Sequence, residues 1–159
     1  MKELTDILGL LVKYDVDFVV VGGYAVAAYG SSLVTQDVDI CCDFSSENLM
    51  RLQEALSDRN PVHRMTPKRL PLILTPEKCR GLKNLYLDTD VGQVDCLGSV
   101  LGIGDFSVVK QHSISVEIDD FECRLIDLDT LIEAKKAMGR PRDLAAVQEL
   151  EAIRACDHG

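Results

Sequence analysis

The chain has 159 residues, of which 47% are apolar, 27% charged and 5% aromatic. That length suits a single domain over 1–159 whose core folds without staples. The composition excludes collagen, coiled coil and disorder, and no apolar run approaches the roughly 18 residues a membrane span needs. The net charge of −9 excludes a general nucleic-acid coating protein.

Taken in chain order, Leu4, Ile7, Leu8, Leu11 and Val12 recur at helical spacing and predict an amphipathic helix over 3–14. Asp17 to Val21 reads as a buried strand, ended by Gly22-Gly23. Ala-rich Tyr24 to Tyr29 predicts a short helix closed by Gly30. Gln36 to Asp43 alternates, with Val38, Ile40 and Cys42 on one face and Asp37, Asp39 and Cys41 on the other, as in a half-buried strand. Ser45 or Ser46 caps a helix through about Ser57 with Leu49, Leu52 and Leu56 inward.

Residues 59–83 hold four of the five prolines and read as loop, with one short strand at Leu72 to Leu74. Asn84 to Asp88 and Gln93 to Leu97 form strands around a turn. Ser113 to Ile118 and Phe121 to Ile126 form a second hairpin across Asp119-Asp120. Asp127 or Asp129 caps a helix to Met138, Gly139 stops it, and Pro141 opens a last helix to about Ala155, so C-terminal helices pack on the domain over about 128–155. The order predicts an α+β fold, a mixed sheet flanked by helices.

The six cysteines, Cys41, Cys42, Cys79, Cys96, Cys123 and Cys156, include no C-x-x-C pair and suit neither a disulfide framework nor a zinc site. They read as reduced, mostly buried thiols of a cytoplasmic protein. The opening residues Met1 to Asp6 carry two acids and do not form a secretory signal. His63, His112 and His158 show no ligand or triad spacing and are given no role. Charge is unevenly spread: Arg59, Arg64, Lys68, Arg69, Lys78, Arg80 and Lys83 against Glu77 make 59–83 a +6 stretch, leaving −15 elsewhere. Such a stretch is either a solvated loop or a local surface for a polyanion.

Asp37 and Asp39 lie two apart on a strand and project from the same face. Adjacent carboxylates repel, and a divalent cation relieves the conflict; hard oxygen donors suit Mg²⁺ completed by substrate phosphates. Asp95, between Val94 and Cys96, supplies a third carboxylate from a neighbouring strand, and three together suit metal-assisted phosphoryl or nucleotidyl transfer. Gly22-Gly23 follows an apolar strand and opens a helix, where backbone can approach a phosphate closely. Thirteen residues separate Gly23 from Asp37.

Val21-Gly22-Gly23, Thr35, Asp37-Val38-Asp39-Ile40 and Val94-Asp95 together resemble a minimal nucleotidyltransferase of the DNA polymerase β-like superfamily. The tail from Leu131 to Leu144, with Lys135, Arg140 and Asp143, resembles the subgroup that includes AbiEii-type toxins of abortive-infection and toxin–antitoxin systems. The resemblance spans about 16–150. Two departures stand out: Tyr24 follows the glycine pair where many members place a serine, and Ser31, Ser32, Leu33 and Val34 stand where many relatives carry a basic residue.

The resemblance implies a two-ion Mg²⁺ site, with Mn²⁺ as a substitute, at Asp37, Asp39 and Asp95. Asp95 doubles as a general base, and Gly22, Gly23, Thr35, Lys135 and Arg140 (or Arg142) serve the nucleoside triphosphate. It implies transfer of a nucleoside monophosphate from that triphosphate, ATP among the candidates, to a hydroxyl of RNA (tRNA included) or protein. The competing reading is a toxin–antitoxin interaction protein that uses the fold to bind a cognate partner. A dinucleotide-binding domain is disfavoured, since Gly-x-Gly-x-x-Gly is missing.

Overall fold

The computed structural model describes residues 2–158, and 2–157 with their side chains. The reading of His158 as without a role therefore falls outside the described side chains, as does Met1. The elements are α1 (Lys2–Lys13), β1 (Phe18–Val21), α2 (Gly22–Ala28), β2 (Asp37–Cys42), α3 (Ser46–Leu56), a 3-10 turn (Ser57–Arg59), β3 (Val62–His63), α4 (Pro76–Cys79), β4 (Asn84–Thr89) and β5 (Gly92–Leu97). There follow β6 (Ser99–Val100), β7 (Gly104–Asp105), α5 (Phe106–Gln111), β8 (Ser113–Ile118), β9 (Phe121–Ile126), α6 (Leu128–Met138) and α7 (Pro141–His158).

Seven strands make one mixed sheet in the order β3-β4-β5-β2-β1-β9-β8, and β6 and β7 form a separate ribbon. At the centre β1 runs antiparallel to β2, while β1–β9 and β2–β5 are parallel. All four residues of β1 are buried, as expected of an apolar run with a neighbour on each side. In β2 and β5 the residues alternate: Val38, Ile40, Val94 and Cys96 are fully buried, and the carboxylates between them face the other way. Helix α1 buries Leu4, Ile7, Leu8 and Leu11, and α3 buries Leu49, Leu52 and Leu56, the faces their spacing predicts. The sheet flanked by helices is thus the expected α+β arrangement. No helix among the described residues is long and apolar enough to cross a membrane.

Caps follow the local chemistry. Ser45 accepts from the Asn48 N–H at the start of α3, and Asp127 accepts from the Thr130 N–H at the start of α6. Gly139 ends α6 with φ +70°, and Pro141 opens α7. One difference lies at α2, which begins at Gly22 rather than Tyr24. Another lies at Leu72 to Leu74, where no strand forms. The Leu72 N–H goes to the Pro61 carbonyl (2.9 Å) as part of a single antiparallel bridge between Val62 and Pro71, and the Leu74 N–H turns to the Gln53 side chain, so pairing stops after one bridge. The strand of this region is β3, paired to Leu87 and Asp88 of β4. The stretch 98–112, to which the sequence reading assigned no element, folds as the β6–β7 ribbon and α5, capped by Asp105.

Buried Asn48 ties the ends of the central pair. Its Oδ1 accepts from the Asp17 N–H (2.8 Å), and its Nδ2 donates to the carbonyls of Asp17 (3.1 Å) and Asp43 (2.7 Å). Asp17 precedes β1 and Asp43 follows β2, so one amide closes the open end of the antiparallel pair. Asn48→Ala leaves the part-buried Asp17 N–H and Asp43 carbonyl without these partners, and leaves the Asp17 carbonyl only the 3.4 Å bond from the Asp43 N–H, which should cost about 2–3 kcal/mol. Urea unfolding would register this as a lower midpoint at unchanged slope; an unshifted midpoint would show that water replaces the amide.

Candidate active site

The strand register assembles the acidic cluster. In the parallel pair, Asp37 lies opposite Gln93 and Asp39 opposite Asp95. On its other side Asp39 lies opposite Val21, the last residue before the glycine turn. Asp37, Asp39 and Asp95, all half-buried, can each present a carboxylate oxygen within 4.8 Å of the others. The structure therefore brings together the three acids that the sequence singled out.

Gly22 makes this close packing possible. It has φ +67°, and a Cβ there would collide with the Asp39 carboxylate and lie 2.7 Å from Asp39 Cβ. Gly23 has the same relation to Thr35, whose Oγ1 would lie 2.8 Å from an added Cβ. Thr35 donates to the Asp37 carbonyl (2.9 Å) and to Asp37 Oδ1 (3.2 Å), which fixes the entry to β2.

Beside the acids opens a cleft of about 470 Å³, within the range of small-molecule sites. Gly23, Thr35, Asp37 and Asp39 line one side, and Lys135, Arg140, Arg142 and Asp143 another. Gly22 lies behind Asp39, and Asp95 completes the cluster without lining the cleft. Asp143, 1% exposed, organises the cations. It accepts from Arg140 Nε (2.6 Å), Arg140 Nη2 (3.2 Å) and the Arg140 N–H (3.2 Å), and pairs with Lys135 Nζ at 3.5 Å. Burial works to raise the Asp143 carboxyl, but the Arg140 hydrogen bond and the Lys135 and Arg140 charges outweigh it and hold the group below the usual carboxylate range.

The electrostatics differ at the acids. Burial, then Asp37, then Asp95 push the Asp39 carboxyl up to about 7, against the pull of Lys135 and Arg142. Burial also raises Asp95, opposed by a hydrogen bond from Arg64. Arg64 belongs to the basic 59–83 stretch, and nothing in the sequence links it to the acids. Tyr24 and Tyr29 turn to the core: Tyr24 Oη is 2.7 Å from Thr5 Oγ1, and Tyr29 Oη donates to the Ile126 carbonyl (2.7 Å). Neither tyrosine lines the cleft. Cys41 is fully buried.

The remaining wall is the α2–β2 loop. Its serines are held by α7: Ser31 Oγ and Ser32 Oγ donate to Glu149, the latter at 2.7 Å, and the Ser32 N–H donates at 3.1 Å. Leu33 and Val34, the latter 91% exposed, then face the cleft.

Two outcomes follow. Because the folded state keeps the Asp39 proton to about pH 7 while the unfolded chain loses it near 4, the metal-free protein loses stability as pH rises across that window. Asp39→Asn should therefore stabilise the metal-free protein at pH 8 by roughly 1–3 kcal/mol, with the gain shrinking toward pH 4; urea melts in EDTA at both pH values measure it, and equal midpoints at pH 8 would contradict the electrostatic picture. Gly22→Ala should destabilise by at least about 1 kcal/mol, from the left-handed backbone and the clash with Asp39; a melt within error of the parent would show that Asp39 can move aside.

No family model matches the chain, and no curated protein matches it in sequence. Among solved structures it is similar to a lincosamide antibiotic adenylyltransferase, LnuA, in a lincomycin-bound crystal structure, with a TM-score of 0.64, 18% identity and 96% of each chain covered. End to end, the chain has the nucleotidyltransferase fold of that protein.

Proposed function

We propose that this protein transfers a nucleoside monophosphate from a nucleoside triphosphate to an acceptor hydroxyl. The observation that carries the reading is the meeting of Asp37, Asp39 and Asp95 at a cleft whose other wall presents Lys135, Arg140 and Arg142. Acid for metal faces base for phosphate, on a fold shared with an adenylyltransferase.

The three acids fit a divalent cation. Their donors are hard oxygens only, they converge, and the burial and charge crowding that raise Asp39 are what a cation between them offsets. Asp37, Asp39 and Asp95 would hold Mg²⁺, or Mn²⁺ in its place, as a two-ion site. Such ions supply Lewis-acid polarisation of the phosphoryl oxygens and lower the pKa of a bound hydroxyl. The other residues bind and orient. Gly22 leaves room for Asp39 against the turn, and Gly23, which lines the cleft, offers its backbone to a phosphate. Thr35 holds the backbone and one carboxylate oxygen of Asp37 in place. Lys135 and Arg140, pre-positioned by Asp143, meet the charge that builds on departing pyrophosphate. The acceptor oxygen bonds to the α-phosphorus, the bond to the pyrophosphate oxygen breaks, and the acceptor proton passes to the carboxylate side at Asp95.

RNA, tRNA included, or a protein hydroxyl is the acceptor we favour from the basic 59–83 stretch, where Lys68, Lys78, Arg80 and Lys83 remain exposed beside exposed Met65, Leu70 and Ile73. A small hydroxylated molecule is the second reading, supported by the end-to-end likeness to an enzyme described as acting on a lincosamide. Binding of a toxin or antitoxin partner without transfer is the non-catalytic alternative. A triphosphate donor and six free cysteines accord with a cytoplasmic setting.

Incubation with each α-labelled triphosphate, Mg²⁺ and, separately, total RNA, cell-extract protein or lincomycin distinguishes these. Label should enter one acceptor class and fall roughly 10²-fold or more in Asp37→Ala and Asp39→Asn. Lys135→Ala should weaken triphosphate binding about tenfold. Triphosphate binding that neither needs metal nor responds to Asp39→Asn, with no acceptor labelled, would overturn the enzyme reading in favour of the binding module.

A further inference from the structure

The row of side chains that includes Asp39 and Asp95 continues across the sheet. Asp95 on β5 lies opposite Tyr86 on β4. The next strand, β3, ends at His63, and the residue after it, Arg64, donates its backbone N–H to the Tyr86 carbonyl at 2.9 Å. The Arg64 guanidinium then lies over the Tyr86 ring, 5.6 Å from its centroid, and donates through Nη2 to Asp95 Oδ1. Backbone, aromatic face and carboxylate therefore fix one cation against the third acid of the cluster.

This cation is incompletely satisfied. Among the described residues, Arg64 Nε is the buried side-chain polar atom that has no hydrogen-bond partner. Of its five N–H donors one goes to Asp95 and one to the Met65 sulfur (3.7 Å from Nη1), so the guanidinium is held in place yet has capacity for a further anion. The other two acids have no such direct bond: Asp37 is bonded by neutral Thr35 and feels the Arg64 charge only through space, and Asp39 feels Lys135 and Arg142 from the far wall of the cleft.

We propose that Arg64 is the resting counter-cation of Asp95, so that a divalent ion entering through Asp37 and Asp39 gains the third carboxylate only when Arg64 leaves it. The proposal rests on the metal-site reading above. The cluster then takes its full complement conditionally: an arriving phosphate offers the guanidinium a new partner, Asp95 is released, and its oxygens become available to metal at the moment substrate is present. An idle site carries less charge excess, and Arg64 connects the 59–83 stretch to the acids.

Mn²⁺ titration of the nucleotide-free protein, followed by electron paramagnetic resonance, tests this without any turnover. R64Q should bind Mn²⁺ about tenfold more tightly than the parent chain, the size expected when a unit charge bonded to a ligand is removed. R64Q in a D95N background should add no such gain over D95N alone, because the coupling passes through that carboxylate. Should R64Q fail to give a native thermal melt, R64M keeps the aliphatic stem over Tyr86 and takes its place. Mn²⁺ binding by the parent chain that R64Q leaves unchanged, or raises equally with and without Asp95, overturns this proposal and leaves the metal site standing. Failure of all four proteins (parent, R64Q, D95N and the double variant) to bind Mn²⁺ overturns both.

Discussion

The structure depends on holding three like charges on one half-buried face of a sheet. Strand pleating makes this feasible: Val38, Ile40, Val94 and Cys96 are drawn fully into the core, and that burial forces the intervening carboxylates outward together. A one-residue slip of β2 against its neighbours would bury the acids and expose the aliphatics, so hydrophobic burial fixes the register and the register fixes the cluster. Desolvation and then repulsion are the residual cost, and together they raise the Asp39 carboxyl. Cations approach from two directions to offset it, Lys135 and Arg142 across the cleft and Arg64 along the sheet.

The C-terminal helices act on this cluster from a distance. Gly139 and Pro141 set the corner between α6 and α7, and the corner places Arg140 beside Asp143 in the first turn of α7. Asp143 is almost wholly buried, and a carboxylate in that position persists only with cations bound to it. It fixes where Lys135 and Arg140 point, which is a more demanding task than supplying positive charge. A pair of lysines on a mobile loop would give comparable charge with far less direction.

Much of this was legible in the sequence because it is local. Period-two alternation located β2 and β5, helical spacing located α1 and α3, and Gly139 with Pro141 marked the last corner. The three acids and the glycine pair could be singled out because their chemistry is written in residue type and spacing. What escaped depends on contacts between distant stretches. Nothing near Asn48 announces that its amide will bridge Asp17 and Asp43, and nothing near Arg64 announces Asp95, thirty-one positions on. Leu72 to Leu74 reads as a strand because it is a short apolar run, yet its pairing with β3 ends after the single Val62–Pro71 bridge and the Leu74 N–H goes to Gln53. The Asp105 cap of α5 did have a local signal, an N-cap residue type just before Phe106, Val108 and Val109, in a stretch otherwise dominated by glycines and short turns.

The grip of Glu149 on Ser31 and Ser32 divides labour within a single loop. The two serines bear the anchoring, so the next two side chains, Leu33 and the 91% exposed Val34, are left to line the open hollow. Such positions can drift through successive generations while the acids and their glycine support stay constant. A lineage built on this scaffold can thereby retune which molecules it admits one neutral step at a time, and differences among its descendants should concentrate at that rim.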